Sequence, residues 1–135
     1  MKKLVFALAA IMTGGLAQAD NLDGVSRMLC AAAQVQICIE NDICYTTSTH
    51  ELDVPDFVVI DTDKKTISTT KASQLNRSTS FTSFLKSDGV LYLQGVEGGR
   101  AFSFVIDVET GRLTVAVARD GFAVSVFGVC TDAKL

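Results

Sequence analysis

From Val35 onward apolar and polar residues alternate with a period of two, and short turn-forming clusters interrupt the alternation at regular intervals. Strands are predicted over 35–39, 43–48, 56–62, 66–70, 77–86, 90–97, 100–107, 112–118 and 122–130. Between them lie Glu40-Asn41-Asp42, Asp63-Lys64-Lys65, Ser87-Asp88-Gly89, Gly98-Gly99, Glu109-Thr110-Gly111 and Arg119-Asp120-Gly121. The Asp-Gly and Gly-Gly pairs supply the positive φ values that tight hairpins require. Phe102, Phe104 and Ile106 share one side of their strand and Ser103, Val105 and Asp107 the other, while Leu113, Val115 and Val117 oppose Thr114, Ala116 and Ala118. Consecutive hairpins with one greasier face predict a mainly β fold, an antiparallel meander forming a small barrel or a strongly bent sheet. Ahead of Val35 the period changes. Leu22, Val25, Leu29 and Ala32/Ala33 recur at three- and four-residue steps, and Ala31 to Ala33 favour helix, so one N-terminal helix is predicted over 21–34, packed on an end or open side of the sheet.

The first nineteen residues have a different composition: Lys2 and Lys3, an apolar run from Leu4 to Leu16, then Ala17-Gln18-Ala19. This is the layout of a secretory signal peptide with an A-x-A cleavage site. The expected organisation is a leader over 1–19 and a single disulfide-stapled domain over 20–135, in the periplasm or the medium. Removing 19 of the 135 residues leaves 116, enough to bury about two thirds of the unfolded surface. Ten basic residues then face fifteen acidic ones, a net charge of −5, which argues against nucleic acid or an anionic membrane face as a partner. The apolar run of about a dozen residues is shorter than the roughly 20 that cross a bilayer, so no membrane insertion is expected after cleavage. An outer-membrane barrel is disfavoured by the absence of tryptophan and by several strands shorter than the nine to eleven residues that span a membrane. Arg27-Met28-Leu29 before Cys30 is unlike a lipoprotein signal.

Four cysteines in an exported chain predict two disulfides. A loop over Glu40 to Asp42 sets Cys38 opposite Cys44, so Cys38 with Cys44 and Cys30 with Cys130 is the favoured pairing, with Cys44 to Cys130 as the main competitor. The second bridge would tie the helix to the last strand and contribute roughly 4 to 5 kcal/mol, against about 2 to 3 for the short one. No C-x-x-C pair points to a redox catalyst, and intervening stretches of seven, five and eighty-five residues with one histidine do not make a zinc site. No motif calls for a cofactor.

His50, in Thr49-His50-Glu51-Leu52-Asp53, is the candidate general base, with Asp53 as a neighbouring acid; a lone histidine in a polar connection is more often plain surface. Asp61-Thr62-Asp63 begins like a calcium loop, but Thr66 and Ala72 stand where glycine and glutamate are needed. Gly95 to Arg100 leads into a strand, unlike a phosphate loop, and reads as a hairpin with Arg100 at its base. Asn76-Arg77-Ser78 matches a glycosylation acceptor, which the bacterial export route suggested by the short, lysine-led leader makes a chance match. Phe81, Phe84, Phe102, Phe104, Phe122 and Phe127 all fall in predicted strands and could surround an apolar cavity, although small barrels are usually packed solid with side chains.

Val54-Pro55-Asp56-Phe57, Leu93-Gln94-Gly95, Gly99-Arg100-Ala101-Phe102-Ser103 and Phe127-Gly128-Val129-Cys130-Thr131 together resemble a group of short exported proteobacterial proteins. The resemblance implies a shared shape and carries over no activity and no site. The leading expectation is a non-enzymatic exported module that binds a small apolar compound in a cavity or another envelope protein along a sheet face. The alternatives are a small hydrolase or isomerase using His50 and nearby carboxylates, and a secreted inhibitor presenting the Glu97 to Arg100 hairpin.

Overall fold

A computed structural model describes residues 21–134, so the leader read over 1–19 lies outside the described residues. Among the described residues ten strands form one sheet: β1 (Arg27–Ile39), β2 (Cys44–Thr47), β3 (Phe57–Asp61), β4 (Thr66–Thr69), β5 (Ser78–Ser80), β6 (Ser83–Ser87), β7 (Val90–Glu97), β8 (Arg100–Asp107), β9 (Arg112–Arg119) and β10 (Phe122–Asp132). Every pairing is antiparallel, in the order β5-β4-β3-β1-β10-β9-β8-β7-β6, with β2 beside the C-terminal half of β1. The sheet curls into a half-barrel. Its two outermost strands, β5 and β6, are consecutive in the chain, with Phe81 and Thr82 between them. Phe81 N–H donates to the Lys65 carbonyl at one edge and Thr82 N–H to the Gln94 carbonyl at the other, each at 3.0 Å. The extended run expected over 77–86 is therefore two strands. Buried Phe81 marks the corner where the chain passes from one edge of the sheet to the other.

The expected N-terminal helix is replaced by the longest strand. β1 pairs with β10 along almost its whole length, with β3 over Arg27 to Ala31 and with β2 over Val35 to Cys38. A strand paired on both sides gains far more than the few tenths of a kcal/mol per residue that alanine propensity offers a helix. The register shifts between Ala32 and Gln34, a bulge that reverses which parity faces inward. Met28 and Cys30 are buried before it and Val35 and Ile37 after it.

Opposite the bulge stands Gly128, paired with Ala32. A Cβ there would overlap the Ala31 carbonyl oxygen and stand 3.3 Å from Ala32 Cα, so the bend of β1 needs a residue without a side chain on β10. The two disulfides join residues in direct register: Cys30 to Cys130 across β1 and β10, with Cα atoms 4.0 Å apart, and Cys38 to Cys44 across β1 and β2, 4.1 Å apart. The long-range bridge thus links neighbouring strands and not a helix and a strand.

Packing is uneven along the axis of the half-barrel. Leu22, Met28, Ile60, Leu93 and Ile106 are all at most 1% exposed, and most of them cluster toward the end where the β8–β9 connection lies. Leu22 plugs this end, its N–H donating to the Val108 carbonyl at 2.7 Å. Each such side chain contributes about 1.5 to 3 kcal/mol. Asp107 organises the β8–β9 connection, its carboxylate accepting from the N–H groups of Glu109 and Thr110 and the Thr110 hydroxyl at 2.8 to 3.1 Å. Those bonds to Thr110 hold the Asp107 carboxyl below its ordinary value of 3.8, and the Lys86 ammonium does the same to Asp23. A carboxyl depressed in the native state stabilises the fold above its unfolded value, and that stabilisation disappears as pH falls through the native value. Melting temperature should therefore drop as pH falls below that ordinary value, and the drop should be shallower in Asp107→Ala; an identical pH slope in that variant would remove the assignment.

Candidate ligand-binding site

The other end of the half-barrel is hollow. A cavity of about 410 Å³ opens between the hairpin tips, with walls that include Ile37, Phe102, Phe104, Val115, Val117 and Val124. This volume lies within the ~300–1,000 Å³ range of small-ligand sites. The side chains point inward by the alternation of each strand: Phe102 and Phe104 on β8, Val115 and Val117 on β9, Phe122, Val124 and Val126 on β10.

The connection between β2 and β3 covers part of the opening. Val54 N–H donates to the Thr49 carbonyl at 2.9 Å, and the Thr49 hydroxyl donates to the Asp56 carboxylate, which folds the segment into a compact turn. Leu52, Val54 and Pro55 then face the cavity. Arg77, just before β5, ties this segment down: its guanidinium donates to the Asp53 carbonyl at 3.1 Å and to the Asp53 carboxylate at 2.7 Å. The pair is solvent-exposed, so it serves to position the segment more than to stabilise the fold.

A charged layer sits above the apolar walls. Arg119, Arg100 and Glu97 lie on the inward-facing parity of β9, β8 and β7, and Thr79 lies across the gap on β5. The Thr79 hydroxyl donates to the Glu97 carboxylate, linking β5 to β7 across the gap. The Arg119 guanidinium lies 5.6 Å from the centre of the Phe122 ring.

Of the six phenylalanines expected around a cavity, Phe102, Phe104 and Phe122 line it. Phe81 is buried in the core, 6.3 Å from Phe84 between ring centres, and Phe84 is 37% exposed. Phe127 faces outward in a cross-strand row with Val105, Tyr92 and Leu85, so these three residues do not form one pocket with the others. The solid interior usual for a small meander is absent at this end. His50 lies exposed on the 49–56 turn, and the Asp53 carboxylate is bound by Arg77, so no hydrogen bond joins the two side chains. Asp61 accepts the Lys64 N–H at 2.9 Å, a turn role. The Glu97 to Arg100 hairpin stands at the rim, with Gly98 and Gly99 at φ 56° and 76°, a two-residue turn that sends both flanking charged residues to the inner face. Arg77, Arg119 and the apolar residues of 52–55 were not anticipated as site residues. For Arg119 the signal was present, since it continues the parity of Leu113, Val115 and Val117.

Comparison with protein-family models, with curated proteins and with solved structures finds no match to this chain.

Proposed function

We propose that this protein is an exported, non-enzymatic binding module that holds a small apolar ligand inside its half-barrel. The supporting observation is the cavity of about 410 Å³, walled by aliphatic and aromatic side chains and open at one end. Two disulfides, the leader-like sequence over 1–19 and the lack of any helix among the described residues long and apolar enough to cross a membrane are compatible with a site of action outside the cytosol. Binding of this kind draws on apolar area removed from water, and it needs walls that are already in place before the ligand arrives.

A fluorescent apolar probe, N-phenyl-1-naphthylamine, tests the reading. The oxidised protein should take up the probe saturably at one site. Val117→Phe, which puts bulk into the hollow half, should weaken binding by about tenfold or more, equivalent to ~1.4 kcal/mol, while the β-sheet circular dichroism spectrum is unchanged. Absence of saturable uptake, or equal uptake by the folded variant, removes the proposal.

A further inference from the structure

Resting on that reading, we infer that the ligand is an amphiphile with one oxyanionic head, its chain in the cavity and its head held at the rim by Arg100 and Arg119. The two arginines are direct cross-strand partners on β8 and β9 and share the inward parity of Phe102 and Val117. Like charges directly opposite each other on one face of a sheet repel. Glu97, directly opposite Arg100 on β7, offsets part of that repulsion, and an anion held between the two arginines would relieve the rest.

The rim also carries three carboxylates, but each already has a donor. Asp53 is bound by Arg77, Asp56 by the Thr49 hydroxyl and Glu97 by the Thr79 hydroxyl. Neither Arg100 nor Arg119 forms an ion pair with an acid among the described residues. The Arg119 guanidinium lies over the Phe122 ring and the Arg100 guanidinium beside the Gly98 turn, and both residues are exposed to an incoming ligand. Two planar, multi-donor cations side by side at an apolar cavity match a head with coplanar oxygens, a carboxylate first, and a hydrocarbon chain behind it. Arg112 begins the same strand as Arg119 but lies at the far end, facing outward, and has no part in this arrangement.

The test compares ligands of equal chain length by calorimetry at neutral pH: decanoate, decyl phosphate, decanol and decyltrimethylammonium. Decanoate should bind about tenfold or more tightly than decanol, as expected for a charge-assisted contact, and decyltrimethylammonium should bind most weakly. The double variant Arg100→Gln/Arg119→Gln should lose the preference for decanoate and keep the affinity for decanol, while Arg112→Gln should leave both unchanged. Equal binding of decanoate and decanol, or a preference that survives in the double variant, overturns this inference and leaves the apolar site standing. Failure of every ligand to bind overturns both. Decyl phosphate bound more tightly than decanoate would keep the oxyanion head and replace the carboxylate by a phosphate ester.

Discussion

Gly128→Ala should cost about 3 kcal/mol or more, a large share of the ~5–15 kcal/mol that holds a domain together. The new methyl group would overlap the Ala31 carbonyl oxygen and lie 3.1 Å from its carbonyl carbon and 3.3 Å from Ala32 Cα. All three atoms belong to the backbone of β1 at its bulge, where the strand leaves β3 and takes up β2, so no rotamer change relieves the overlap. Relief requires β1 and β10 to separate over residues that also carry the Cys30–Cys130 bridge close by. Gly95→Ala provides the contrast. Its Cβ would stand 2.5 Å from Phe102 Cζ, but that ring borders the cavity and has room to swing into it, so the cost should be about 1 kcal/mol. Urea denaturation of the two variants measures the difference; a Gly128→Ala protein within about 1 kcal/mol of the parent would show that the bulge is not constrained as described.

Loss of the Cys30–Cys130 bridge should be the other large effect. In Cys30→Ala/Cys130→Ala the unfolded chain regains the freedom of a loop closed across 100 residues, about 4 to 5 kcal/mol on the chain-entropy account. Alanine is the appropriate replacement because both sulfurs are buried and a serine hydroxyl would lack a partner there. The bridge also stitches the first strand of the chain to the last, the pairing with the greatest loop-closure cost in the fold. The Cys38–Cys44 bridge closes a span of only six residues, so Cys38→Ala/Cys44→Ala should cost about 2 to 3 kcal/mol and leave the sheet folded. Thermal and urea melts of the two double variants test the ranking. Equal losses, or a greater loss for the short bridge, would contradict it.

The cavity was partly legible. Phe102, Phe104 and Phe122 could be placed on inward faces because the alternation of β8 and β10 is regular. Phe84 could not, because an aromatic side chain satisfies strand propensity on either face of a sheet and its neighbour Leu85 is apolar too, whereas the outward face of Phe127 follows from the same β10 alternation that turns Phe122, Val124 and Val126 inward. Where both parities of a strand are apolar, local pattern loses its power to say which side is inside. The role of Arg77 was hidden for another reason: its partner Asp53 is 24 residues away and meets it only because the 49–56 segment folds back over the opening.

Turn chemistry and period-two alternation were enough to establish, from residues alone, that the chain after Val35 is a succession of antiparallel hairpins, since glycine at positive φ and an alternating face are local properties. Tertiary structure decided what depends on contacts between distant residues. The alanine-rich segment became the central strand because three partners were available to pair with it, and the bulge at Ala32 to Gln34 changed its inward parity. The run over 77–86 broke at Phe81 because the half-barrel had two margins to join. Leu22 filled one end and nothing of comparable size filled the other, so a sheet whose strands predict a packed core encloses a cavity with two arginines at its rim.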